Sequence, residues 1–294
     1  MAVLKGMSIG ATVPVLELFA INAFEELEPL LEAPEGQLLF LQKKEGYTER
    51  CSSVTVRTAD GRTLLAHNEH WLAGDAENVA VVIDVPADGR VPVVSPTVVC
   101  CLPAVGVNAH GTAQGIGSLM ANDDGVGVPR VLVSRSSLEA RDRHDAEARA
   151  AMRGRAGGYG HVLAFGDGEC VTIETSGRQH RVLDGPGAHT NHYRSDLAAI
   201  APEPSEGSRA RLERLETLLA ENPPASADDL MAMMRDHGSA PQAVCLHADE
   251  TDDDEASACL FSMVVDLTDR RMWVALGNPC RHDYDEIDLS LAAR

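Results

Sequence analysis

"CSSVTVRTADGRTLLAHNEHW", Cys51 to Trp71, is the stretch from which the rest of the chain is best read. Two β-prone runs flank the pair Asp60-Gly61, the signature of a hairpin. With the turn centred between these two residues, position 51 pairs near position 70, and the polar end "NEHW" returns beside Cys51. A cysteine at the head of a strand can be a small hydrophobe, half of a disulfide, a metal ligand or a nucleophile. A nucleophilic thiol must lose its proton, and no histidine stands beside Cys51 in the sequence. If the peptide bond before Cys51 were cut, the residue would carry its own base. A free α-amine titrates at about 7.7–8.0 and would act near neutral pH.

Outward from the hairpin, residues 79–119 form further short β-runs punctuated by Gly and Pro. Val128 to Gly154 reads as helical, with Pro129 near its start and a glycine after its end. More strands follow from Tyr159, then two helices around a Pro-Pro turn, then a final strand pair around an Asp-Arg turn. This order predicts an α+β fold with helices layered over antiparallel sheets. Upstream, Val15 to Glu32 has apolar residues at helical spacing, and "GQLLFLQKKEGYTER" is partly strand-like. Residues 1–50 are therefore expected to form a leader-like piece and residues 51–294 a single domain, together one globular unit.

Composition narrows the function classes. Lys+Arg 25 against Asp+Glu 45 gives a formal net charge of -20, which repels nucleic acid and anionic membranes. Hydrophobic residues at 44% supply a sizeable core. Seven scattered cysteines with no CxxC fit a reducing compartment, so a cytoplasmic protein is expected. No uninterrupted apolar stretch reaches the length of a membrane span.

Other stretches could carry chemistry. "AHTNHYR" contains Thr190, Asn191 and His192, and an Asn amide can donate to an oxyanion; an N-cap or Asx-turn reads equally well there. His67 with His70, and His189 with His192, are spaced by three in non-helical stretches, which completes no recognised zinc pattern. The acidic run after His247 lacks the glycine-centred calcium loop. "GIGSL" and "GDG" are weak as phosphate cradles. Neither metal nor cofactor is expected.

Taken in order, "RCSSVTV", "GRTLLAHNEHW", "GVNAHGTAQGIGSL", "GVPRVLVSRSSLE", "HTNHYR", "SRARLERL" and "MVVDLTDRRMWVALGNP" resemble the peptidase family of acyl-CoA:6-aminopenicillanic acid acyltransferase and the β-alanyl-dopamine/carcinine hydrolases. These are N-terminal nucleophile hydrolases, and the resemblance runs from Gly46 to about Tyr284. It implies a four-layer αββα sandwich of two antiparallel sheets between helices. It further implies self-cleavage between Arg50 and Cys51, leaving Cys51 as an N-terminal nucleophile. By the same match Asn191 would sit at the oxyanion hole, with Asn68 and His70 as polar support. His70 stands where many members carry an aspartate. Ser52 corresponds to the small hydroxyl residue after the nucleophile, and Ser52, Trp71 and His192 are placed against substrate. The expected partner is a small acyl-amide, with an acyl-CoA as an alternative donor and an oligomer left open. The rival readings are an uncleaved small-ligand-binding protein on the same fold and a metal-dependent hydrolase.

Overall fold

The computed structural model describes residues 2–31, 51–248 and 256–290. The hairpin forms as β1 (Ser52–Arg57) and β2 (Thr63–Leu72). Its turn is longer than the two residues the Asp-Gly pair suggests. Thr58 to Arg62 make the connection, with Thr58 and Arg62 bonded through their backbones and Gly61 at φ +88°, a conformation suited to glycine. The loop has an odd number of residues and is centred on Asp60. Ser52 consequently pairs with Asn68, and Cys51 lies opposite Glu69 rather than residue 70.

After the hairpin come β3 (Val79–Asp84), β4 (Val93–Val98), β5 (Gly106–Asn108) and β6 (Thr112–Leu119). The helical stretch from Val128 is two helices, α4 (Arg130–Leu138) and α5 (Arg143–Ala150), which follow three helices within residues 2–31. They break because Asn108 donates to the carbonyls of Leu138 and Ala140, diverting them from the helix ladder. Then follow β7 (Gly158–Phe165), β8 (Cys170–Thr175), β9 (His180–Asp184), β10 (Gly187–His189), α6 (Glu206–Glu221), α7 (Ala227–Met234), β11 (Ser257–Asp266), β12 (Arg271–Leu276) and β13 (Asp285–Ile287).

The strands form two antiparallel sheets. One has the order β10-β1-β2-β11-β12-β13 and the other β3-β4-β5-β6-β7-β8-β9. Strand alternation sorts the side chains into layers. Leu65, Met263 and Val265 point between the sheets, against Val107 and Ala113. Val54, Val56, Leu64 and Ala66 point outward, beneath Leu212, Leu215, Leu230 and Met234 of α6 and α7. On the opposite outer face Ala146 and Ala150 of α5 cover Leu163, Val171 and Ile173. The protein is an α+β sandwich, as the residues predicted.

Glycines set the spacing between the sheets near the head of β1. A Cβ on Gly115 would lie 2.6 Å from Ser53 Oγ and 3.1 Å from His67 Nδ1, and one on Gly117 would lie 2.5 Å from the Thr190 carbonyl oxygen. The glycines of "GIGSL" therefore serve a close approach between the sheets.

The leader departs from the single helix expected over Val15–Glu32. It is α1 (Ala2–Ala11), α2 (Val15–Ile21) and α3 (Phe24–Leu31), and the strand-like run at 36–50 lies outside the described residues. The break follows from Asn22, whose amide donates to Leu18 O and Cys100 O while its oxygen accepts from Leu102 N–H. Leu4 and Leu18 bury against Leu102, so the N-terminal helices are docked on the rest of the fold. Gly115→Val is expected to cost about 2–3 kcal/mol by overpacking the inter-sheet space. Urea unfolding would measure it, and an unchanged midpoint would contradict this account of the sheet spacing.

Candidate active site

Because the register sum of the hairpin is even, Cys51, Ser53, His67, Glu69 and Trp71 all face between the sheets. Cys51 is buried at the head of β1, and its thiol donates to Glu69 Oε1 at 3.2 Å. The other carboxylate oxygen is 3.0 Å from His67 Nε2, and His67 Nδ1 is 2.9 Å from Ser53 Oγ. The bonds are mutually consistent if Nε2–H donates to the carboxylate and Nδ1 accepts from Ser53. The result is a continuous relay, Cys51–Glu69–His67–Ser53. Burial, then the charge of Glu69, push the thiol well above its ordinary range, while the His70 backbone N–H pulls the other way. The thiol is thus protonated and in contact with a base able to take its proton. The ligand atoms of Cys51, His67 and Glu69 also lie within 4.8 Å of one another, close enough to share a metal ion.

Glu69 and His67 were not among the residues expected to act with Cys51. The expected pair, Asn68 and His70, lies on the opposite face of β2. Asn68 donates to the carbonyls of Met234 and Val244 at 2.9 Å each, and His70 Nε2 is 3.0 Å from Val244 O. Their side chains tie β2 to α7 and the segment beyond it. This corrects their expected placement, and the cause is the one-residue difference in register. The paired histidines do not converge either: His67 meets Glu69, His189 meets Glu174 at 2.9 Å, and His192 meets Ser208 at 2.8 Å.

Ser52 also points outward, where Arg211 of α6 donates to its hydroxyl from Nε at 3.3 Å. The same guanidinium donates to Asn191 Oδ1 at 2.9 Å. Arg211 is fully buried and lowers the thiol's proton affinity through its charge, so it couples Cys51's neighbour to the Asn191 amide. Asn191 Nδ2 reaches only the Ser118 carbonyl, at a long 3.4 Å. His192 is held on Ser208 beyond Asn191, and burial lowers it to about 4. Arg211 gave no sequence signal beyond "SRARLERL", where it reads as one cation of an amphipathic helix. Arg50 lies outside the described residues.

A cleft of about 720 Å³, its open mouth included, is lined by Glu69 and Trp71. Val98, Leu102, Val105, Ile116 and Phe261 make its walls apolar. The leader closes one side. Phe24 packs edge-on to Trp71 with ring centroids 5.9 Å apart, Glu25 accepts from Ser118 Oγ at 2.7 Å, and Glu26 accepts from Arg130 NH1 at 3.0 Å. Burial holds the Glu25 carboxyl up at about 7 against the opposing pull of Arg130.

With this geometry established, likeness to known proteins becomes informative. Residues 56–281 match the family model described as acyl-coenzyme A:6-aminopenicillanic acid acyl-transferase. The chain belongs to this family. It is accordingly an enzyme of the N-terminal nucleophile fold class, an amide-cleaving hydrolase or an acyltransferase. The match begins just downstream of Cys51 and spans the relay residues His67 and Glu69. Solved structures agree in fold. A variant of conjugated bile acid hydrolase from Clostridium perfringens superposes at TM-score 0.54 with 10% identity, over 82% of this chain and 93% of that one. Penicillin V acylase from Agrobacterium tumefaciens gives TM-score 0.51 with 11% identity, over 82% and 86%. Among curated proteins no sequence match was found. No single helix among the described residues is long and apolar enough to cross a membrane.

Two outcomes follow from the site. Asn68→Ala takes the donor from the Met234 carbonyl and leaves the Val244 carbonyl to His70 alone, and is expected to lower stability by about 2 kcal/mol, read by urea unfolding. A variant as stable as the wild type would mean these bonds carry no net stability. The second concerns pH. A carboxyl raised from 4.5 to about 7 favours its protonated form in the docked leader, so docking is strongest at low pH. It weakens as pH rises towards and through 7. Hydrogen exchange of α3, corrected for intrinsic rates, should lose protection over that window, and Glu25→Gln should flatten the dependence. Equal pH profiles for the two proteins would contradict the assignment.

Proposed function

We propose that the chain is a self-processing amidohydrolase with Cys51 as nucleophile, acting on a small amide whose acyl group is apolar. One observation carries the reading: the Cys51 thiol donates to Glu69, whose side chain is among those lining an apolar cleft. In the precursor, Glu69 takes the thiol proton and Sγ attacks the Arg50 carbonyl. The Arg50–Cys51 C–N bond breaks, the proton passes to the departing amine, and a thioester remains. Water hydrolyses that thioester, releasing the leader with a C-terminal Arg50 and restoring the thiol.

The freed α-amine then serves as the base for turnover. It takes the thiol proton as Sγ attacks the substrate carbonyl and returns it to the leaving amine, and water resolves the acyl-enzyme. Asn191 fits the oxyanion role because Arg211 fixes its oxygen, orienting the NH2 group away from that cation, and its bond to Ser118 is long enough to exchange cheaply. Trp71 and the apolar walls suit the acyl group, while Ser52 and His192, held on Arg211 and Ser208, support the site from behind. Two solved neighbours of the same fold are named as a conjugated bile acid hydrolase and a penicillin V acylase. Transfer from an acyl-CoA is the alternative second half-reaction, with an amine replacing water.

Intact-mass measurement with N-terminal sequencing tests the reading. The expected result is two fragments with a new N-terminus Cys-Ser-Ser. Cys51→Ala should give one chain and no turnover, and Glu69→Gln should slow processing by about 10²–10⁴-fold. An intact, inactive wild-type chain would instead support the uncleaved ligand-binding protein, and activity in Cys51→Ala would sink the nucleophile assignment.

A further inference from the structure

Away from the cleft, three separate segments bring four metal-binding side chains together. His237 follows α7, Cys245 and His247 lie on the segment leading to β11, and Cys280 follows β12. Their ligand atoms all fall within 4.8 Å of one another. His247 Nε2 is 3.0 Å from His237 Nε2, 3.1 Å from Cys280 Sγ and 3.6 Å from Cys245 Sγ.

Hydrogen bonding does not account for this arrangement. An imidazole nitrogen carries either one hydrogen or one lone pair, so Nε2 satisfies one partner and crowds the other two. Convergence on a shared cation explains all three distances. Zinc bonds of about 2.3 Å to sulfur and about 2.0–2.1 Å to nitrogen give tetrahedron edges of about 3.3–3.8 Å, close to the spacings found. The geometry points to a structural zinc site, Cys2His2, formed by His237, Cys245, His247 and Cys280.

Two thiolates and two neutral imidazoles match the borderline-soft character of Zn²⁺ and leave no ligand position open for substrate. Loading releases the two thiol protons and yields an electrically neutral centre. The surroundings suit thiolate ligation: Asn278 Nδ2 approaches Cys245 Sγ at 3.8 Å and also donates to Leu246 O at 2.6 Å. His237 and Cys280 are exposed, which gives the ion a route in.

The site would also serve the fold. Val244, beside Cys245, supplies the carbonyl that receives both Asn68 and His70 from the back of β2. Leu246, between the two ligands, accepts the Cys259 N–H of β11. A metal pinning Cys245 and His247 to Cys280 therefore braces the segment on which the strand carrying His67 and Glu69 rests. These four ligands have none of the paired spacing of common zinc motifs, so no sequence pattern marks them.

The test uses the untagged full-length protein, purified without added metal, and elemental analysis. One equivalent of zinc per chain is expected, with loss in Cys280→Ser, whose surface position keeps the fold intact. Replacement by Co²⁺ should give tetrahedral d–d bands and a thiolate-to-cobalt charge-transfer band, both absent from that variant. Chelation should lower the thermal midpoint of the wild type, added Zn²⁺ should restore it, and the variant should respond to neither. A protein that contains no zinc and gives no cobalt spectrum would overturn the proposal. So would a Cys245–Cys280 cross-link in a non-reducing peptide map.

Discussion

The site depends on the pairing of β1 with β2. Cys51 meets Glu69 only because the connection from Thr58 to Arg62 centres the register on Asp60. A shift of one residue would turn Glu69 and His67 towards the helices and bring Asn68 and His70 inward. Register here is held from both faces. Leu65 is committed to the inter-sheet core and Leu64 and Ala66 to the layer under α6 and α7, so a slip would expose apolar side chains on one side and bury polar ones on the other.

Around this strand pair, polar side chains divide into two groups with different work. Those facing the second sheet form the relay from the thiol to Ser53, packed against glycines that allow the sheets to approach. Those facing the helices tie the strands to α6 and α7, through Arg211 to Ser52 and Asn191 and through Asn68 and His70 to Val244. The second group fixes the first in position, since neither strand can rotate or slide without losing buried hydrogen bonds. The docked leader completes the cleft on its open side with Phe24, Glu25 and Glu26.

Much of the architecture was legible. The hairpin, the helix pair around Pro223-Pro224 and the last strand pair stand where their turn residues and periodicity placed them. Helix breaks were less legible. The interruptions at Asn22 and after Leu138 come from Asn side chains bonding to carbonyls far away in sequence, Asn22 to Cys100 and Asn108 to Leu138. Periodicity reports local burial and carries no trace of such long-range capture.

By itself the sequence determined the layer order of an α+β sandwich, the position of a cysteine at a strand head and the family resemblance that singled it out. These are set by alternation, turn chemistry and motif order, which are properties of neighbouring residues. Tertiary structure decided which side chains surround the thiol. The parity of one loop placed Glu69 and His67 inward, and packing against α6 brought Arg211 between Ser52 and Asn191. Composition leaves that parity open, because a two-residue turn and a five-residue turn can both be built around Asp60-Gly61, yet they present opposite faces of β2 to Cys51.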